Sequence, residues 1–300
     1  MYMSERYIYL AINTTVSGAA HTQLRKIFVW GNYIVPFADG LVVGTIKNQF
    51  SLDEYNFFLR IATTDVSVSA NNIFVLDYFL KSYGALTKIA RNERIESCRF
   101  VGRRLYLVTF RTEDPFFVIS FSNHRVPTIL GELHISGVST YLHPYDETTI
   151  IGIGRETNAR AVRLGLKIEL FDVSNVANPK SKAKFEVSET FASSTAEWEH
   201  KAFLFSADKN LLVIPGSMKS PQVTFNGAFA FYIAKYEITL VSTIDHLLNP
   251  TDNFESRKVE RSLWINDLLY TKSKCLLRIN EISDTFDLVK SVNVPCDPTQ

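Results

Sequence analysis

The side chains best suited to chemistry in this 300-residue sequence stand in a few short clusters. Glu199, His200 and Lys201 are consecutive, and His143 shares a second polar group with Ser139 and Tyr141. A carboxylate and an imidazole can pass protons near neutral pH, so Glu199, His200 and His143 are the residues a hydrolase or lyase would use as acid and base. Asp53 and Glu54 form a second acidic pair, suited by type to Ca²⁺ or to proton transfer. Adjacent residues of a strand point to opposite faces, so these two need a bulge or cap to share a site. Zinc would want three or four ligands, and neither an HxxxH pair nor a Cys/His pairing is present. There is no GxSxG turn for a serine nucleophile. Gly152-Ile153-Gly154 ends a strand with no helix behind it, so it makes no phosphate loop. Cys98, Cys275 and Cys296 make neither a metal spacing nor an even disulfide framework. Cys98 and Cys275 fall within strand patterns, where a cysteine serves as a small buried hydrophobe. The expectation is therefore no metal and no cofactor.

The elements that must position these residues are clearest from Cys98 to Pro144. Residues 98–101 and 105–110 alternate apolar and polar side chains around a Gly102-Arg103 turn, which marks a β-hairpin with one half-buried face. Residues 116–121 and 128–135 repeat the pattern around Ser122-Asn123 and Pro127. The second strand of this unit recurs at 7–13, 59–64, 149–154, 211–216 and 268–272, a period of roughly 45 to 60 residues. The third and fourth strands recur in step with it. A four-stranded antiparallel repeat near this length reads as a β-propeller blade, a sheet that must stack on its neighbours to hide both faces. A pair of β-sandwiches would not require that synchrony. The expected architecture is all-β, one propeller domain over 1–300 with about six blades at roughly 1–47, 48–94, 95–137, 138–197, 198–257 and 258–300. The first blade begins at its second strand, with only Met1 to Met3 as a remnant of the first, as in a seven-bladed ring cut short.

In such a fold the start of each first strand lies near the axis on one face. Asn48, Gln49, Glu96, Ser139, Tyr141, Glu199, His200, Lys201, Glu260 and Arg261 occupy those starts. Such a polar ring could bind a small anion, a sugar or a peptide, or could satisfy the buried groups of a wet channel. Loop lengths are uneven. The long polar connections at 65–72, 155–165, 188–198, 217–227 and 246–258 all join second to third strands or fourth strands to the next unit, so they belong to one rim. Loops displayed by a rigid scaffold commonly carry binding function.

Composition narrows the partners. Thirty-two basic and 31 acidic residues leave a net charge of +1, which gives no bulk attraction to nucleic acid or anionic membrane. A hydrophobic content of 46% supports a large core, and 22 Phe with 13 Tyr favours strands. The longest apolar runs fall well short of the roughly 20 residues of a membrane span. The opening MYMSERYIYLAINTTVSG lacks the basic, apolar and small-residue succession of a secretory leader.

Residues 48–64 (NQFSLDEYNFFLRIATT), 99–122 (RFVGRRLYLVTFRTEDPFFVISFS), 139–157 (STYLHPYDETTIIGIGRET), 165–180 (GLKIELFDVSNVANPK), 199–215 (EHKAFLFSADKNLLVIP) and 258–271 (KVERSLWINDLLYT) carry a family resemblance that covers most of the chain. The sequence resembles the predicted secreted proteins of archaea and bacteria that bear a C-terminal β-propeller domain distantly related to WD40 repeats. The resemblance implies a fold more than an activity, and an extracellular or cell-surface setting. The family's leader and further N-terminal stretch have no counterpart here. Arg60, Arg99 and Asp114 lie in the densest of these motifs and are expected to form a structural network between blades, because a guanidinium offers a planar fork to carboxylate or carbonyl. The functional expectation is a non-enzymatic scaffold that binds a protein, peptide or glycan on the long-loop face. A donated strand at the open edge of the first blade is a further contact.

Overall fold

Period-2 patterning gives most strands an apolar side, and these sides are buried by packing sheet on sheet. The computed structural model describes residues 1–110, 114–158, 160, 162–187, 192–219, 224–247 and 254–296. Sheet 1 comprises β1 (Tyr2–Met3), β2 (Tyr7–Val16), β3 (Ala19–Trp30) and β4 (Tyr33–Val43). Sheet 2 comprises β5 (Leu52–Tyr55), β6 (Phe58–Asp65), β7 (Ala70–Leu76) and β8 (Ser82–Ile89). Sheet 3 comprises β9 (Arg94–Val101), β10 (Arg104–Phe110), β11 (Asp114–Ser120) and β12 (Thr128–Ile135). Sheet 4 holds β13 (Val138–Pro144), β14 (Thr149–Thr157), β15 (Arg163–Asp172) and β16 (Lys180–Glu186). Sheet 5 holds β17 (Leu204–Ser206), β18 (Leu211–Lys219), β19 (Thr224–Ala234) and β20 (Glu237–Asp245). Sheet 6 holds β21 (Val259–Ile265), β22 (Leu268–Ser273), β23 (Leu276–Glu281) and β24 (Leu288–Asn293). In each sheet the strands are hydrogen-bonded in chain order, as expected of propeller blades. The helical content among the described residues is limited to short 3₁₀ turns, and no helix among them is long and apolar enough to cross a membrane.

The chain divides into two compact units, one of Met1–Val138 with Leu142–Pro144 and Val173–Lys180, the other of Ser139–Tyr141 and Tyr145–Asp172 with Ser181–Gln300. In the first, sheet 2 buries both faces. Leu59, Ile61 and Leu76 meet Tyr7, Tyr9 and Leu24 of sheet 1, while Ala62, Ile73 and Val75 meet Leu105, Leu107 and Phe117 of sheet 3. In the second, Val213, Ala228 and Ala230 of sheet 5 close on Val259 and Leu269 of sheet 6. Burial of this kind contributes about 25 cal/mol for each Å² of apolar surface removed from water, so the core lies between sheets rather than inside any one of them.

Two turns show how neighbouring sheets lock. Asn123 accepts from the amide of Arg125 at 3.0 Å, and Asn175 accepts from the amide of Ala177 at 3.2 Å, so the same Asx turn follows the third strand in both repeats. The first turn presses its backbone on Gly84 of β8, where an added Cβ would lie 2.1 Å from the His124 carbonyl oxygen. The second presses on Gly131 of β12, where a Cβ would lie 2.4 Å from the Val176 oxygen. Because the obstacle is main chain, Gly84→Ala is expected to cost about 2 kcal/mol as overpacking, read as a lower urea midpoint with an unchanged slope.

The structure corrects two expectations. Cys275 and Cys296 are joined as a disulfide that closes a 21-residue separation, whereas Cys98 is a buried free thiol pushed up to about 11 by burial. Cys275 sits in the β22–β23 turn rather than inside a strand, so its side chain reaches back to the segment after β24. That strand is exposed throughout, and the crosslink holds it where packing does not. The place of the first strand of sheet 1 is taken by β1, which pairs with β2 only at Tyr2↔Tyr9 and Met3↔Ile8.

Candidate functional site

Several of the polar first-strand positions serve the backbone. Asn48 and Gln49 lead a 3₁₀ turn ahead of β5 instead of the strand itself, and the Asn48 carboxamide accepts from the Phe50 amide at 3.0 Å. The same device precedes β17. Glu199 caps the 3₁₀ turn His200–Ala202 by accepting from the Lys201 amide at 3.1 Å. The expected strand starts are thus capped turns, a consequence of side-chain oxygens that take up orphan amides. Glu96 lies on β9 and pairs with Lys47 at 3.1 Å, beside a hollow of about 310 Å³ that Arg94 and Thr64 also line.

Glu199 gathers two other expected residues, His200 Nδ1 at 4.0 Å and the Arg261 guanidinium at 3.9 Å. Glu260 points elsewhere and pairs with Lys272 at 2.8 Å. Tyr141 is buried, with its ring centroid 5.0 Å from that of Phe203. His143 is held down at about 4 by burial and then by the nearby positive charge of Arg99, so it is neutral at physiological pH.

Arg60 and Arg99 link sheets in the first unit. Arg60 is fully buried, bonds Asp53 in its own sheet, and donates to the Gly102 carbonyl of sheet 3 at 2.7 Å. Its guanidinium also lies 4.8 Å from the Phe121 ring centroid. Arg99 donates to the Leu142 carbonyl at 2.8 Å and stacks 3.7 Å over Phe50. Asp53 and Glu54 diverge as alternation requires, since Glu54 accepts from the Tyr9 hydroxyl at 2.8 Å. Asp114 opens β11, and its side chain lies outside the described residues.

A concave site of about 140 Å³ forms in the second unit where three of the long connections meet. Ser193, Thr195 and Trp198 come from the segment ahead of β17. Ser217 and Asn226 come from the facing ends of β18 and β19. Phe254, Glu255 and Lys258 come from the segment ahead of β21. The parts of these connections at 188–191, 220–223 and 248–253 lie outside the described residues.

Each connection is anchored. Ser194 and Glu197 form a capping box around Thr195–Glu197. The buried Glu197 carboxylate also takes both Arg155 Nε at 2.8 Å and a terminal nitrogen of Arg155 at 3.2 Å. Ser193 and Ser217 exchange backbone hydrogen bonds of 3.0 Å each, and their hydroxyls meet at 2.7 Å. Asn226 donates to the Phe254 carbonyl at 2.6 Å, and Arg257 grips Asp245 at 2.9 Å.

The resulting surface joins an indole that is 67% exposed with hydroxyls, an amide and one charge of each sign. The length of these three connections was legible in sequence, but nothing there marks Thr195, Asn226 or Phe254 as lining a site. The S-T-A-E capping pattern at 194–197 was the available sign that this loop is ordered.

The chain is 35% identical over 258 residues to an uncharacterized protein of Methanocaldococcus jannaschii, an overlap of 84% of this chain and 38% of that protein. It is 41% identical over 180 residues to an uncharacterized protein of Archaeoglobus fulgidus, covering 59% of this chain and 28% of the other. It therefore spans well under half the length of these curated relatives. Among solved structures, a candidate 6-phosphogluconolactonase of Bacteroides uniformis superposes with a TM-score of 0.56 at 13% identity, over 99% of this chain and 85% of the other. At that identity the likeness concerns the fold alone. The sequence profile of the β-propeller domain matches residues 1–285. With this match and its six consecutive four-stranded sheets, the chain belongs to the β-propeller domain family.

Proposed function

We propose that this chain is a non-enzymatic binding scaffold that engages a protein, peptide or glycan through the long-connection face. The observation that carries the reading is the meeting of three separately anchored connections at one concave site beside an exposed tryptophan. Pre-ordered loops on a rigid sheet framework lower the entropy lost on binding. The disulfide between Cys275 and Cys296 suits an oxidising compartment and so supports the secreted setting that the family resemblance implies, along with a distant kinship to WD40 repeats. The edge of β2 from Leu10 to Val16, beyond its pairing with β1, is the place proposed for a donated strand.

A hydrolase or lyase is the second reading, favoured by the approach of His200 to Glu199 at 4.0 Å. The Glu199 carboxylate, however, already caps a turn and faces Arg261, which gives it a structural task. Binding is tested by presenting the immobilised chain with a displayed random-peptide library and a glycan array. Trp198→Ala should reduce retention at least tenfold without shifting the melting temperature; equal retention by both proteins refutes the pocket. Turnover of glycans, esters or peptides that disappears in His200→Ala would instead establish the enzyme.

A further inference from the structure

Resting on the pocket described above, we propose that it is a carbohydrate subsite that seats one pyranose ring of a neutral glycan against Trp198. The first ground is shape and surface. Trp198 keeps 67% of its area exposed although it ends a segment fixed by a capping box and an ion pair, so an anchored backbone presents an uncovered indole. The C–H face of a pyranose is apolar and flat, and its rim carries hydroxyls. It therefore matches an aromatic plane bordered by hydrogen-bonding groups.

The second ground is unspent polarity. The Thr195 hydroxyl oxygen is buried and has no hydrogen-bond partner among the described residues, and Thr195 lines the same cavity as Ser193 and Ser217. A buried polar atom without a partner costs free energy that a ligand hydroxyl can return. Hydroxyls act as both donors and acceptors, which is the bonding pattern a sugar presents.

The third ground is what the cavity lacks for other ligands. Glu255 and Lys258 both line it with opposite charges, so its lining carries no net formal charge to select a phosphate or carboxylate. The backbones of Ser193 and Ser217 already pair with one another, so these residues offer no free strand edge for a peptide to extend.

The test titrates the whole chain with cellotriose, maltotriose, mannotriose and N-acetylchitotriose by calorimetry. At least one should saturate, with Kd raised tenfold or more by Trp198→Ala and about fivefold by Thr195→Val. Both variants should melt with the parent. Saccharide binding that ignores Trp198→Ala overturns the proposal, as does the absence of binding by all four. In the latter case, library peptides retained in a Trp198-dependent manner would leave the scaffold reading standing while the carbohydrate falls. If neither peptides nor sugars depend on Trp198, both readings fall together.

Discussion

Acidification from pH 6.5 to 4 is expected to remove about 3 kcal/mol of stability through His246 alone. This side chain is 2% exposed, and its Nε2 lies 2.8 Å from the Thr271 hydroxyl of β22. Burial first, and the charge of Arg278 second, hold its pKa at about 4, against an ordinary value of 6.5. In that interval the unfolded chain binds the proton and the folded chain does not, so stability rises with pH and falls on acidification. At roughly 1.4 kcal/mol for each pH unit between the two values, the loss approaches about 3 kcal/mol by pH 4.

His143 titrates in the same window and adds to the slope. Carboxylates contribute at the acid end, so the measurement is a difference. The urea midpoint of the parent should fall more steeply than that of His246→Gln as the pH drops from 6.5 to 4, shifting the difference in the variant's favour, because glutamine keeps a partner for Thr271 without taking up a proton. Parallel profiles would refute the assignment.

Glu197→Ala should produce the larger mutational effect, about 3 to 4 kcal/mol, because one carboxylate performs two tasks. Its Oε1 accepts from the Ser194 amide at 3.0 Å and closes the capping box, while both oxygens hold Arg155. Truncation leaves the Arg155 guanidinium, 22% exposed, without this partner and frees the segment that presents Trp198. Two signals should change together: the thermal midpoint, lower by ~5–10 °C, and the affinity of the long-connection face, lower by at least tenfold. Glu197→Gln should recover the cap but not the charge pairing, and so fall between. A Glu197→Ala variant that melts with the parent would show that the segment is held by Ser193 and Ser217 instead.

The six-fold recurrence of paired hairpins was readable because strand alternation and turn residues are local signals. Gly102, Asn123 and Pro127 mark their turns without help from distant residues. That Arg60 needs partners was also readable, since a charge inside an apolar motif must find them. Its actual partners, Asp53 and the Gly102 carbonyl, come from two different sheets and have no shared spacing that a linear reading could detect.

The linear reading failed where a residue's task depended on its distant neighbours. Cys275 looked like one more apolar strand position, yet it bonds Cys296. Asn48 and Glu199 read in sequence either as ligands or as groups that satisfy the structure, and only the fold shows that each gives its oxygen to a backbone amide two residues on. Thr195, Asn226 and Phe254 are ordinary in sequence and become a site only because three connections end beside one another.

Sequence alone determined the all-β class, the repeating unit and which connections are long, because alternation, turn chemistry and loop size are properties of neighbouring residues. Tertiary structure decided which of those loops meet, which charges are already spent on structure, and which cysteines join. Those outcomes depend on sheets stacking to bury their second faces, and the contacts so made have no fixed separation along the chain.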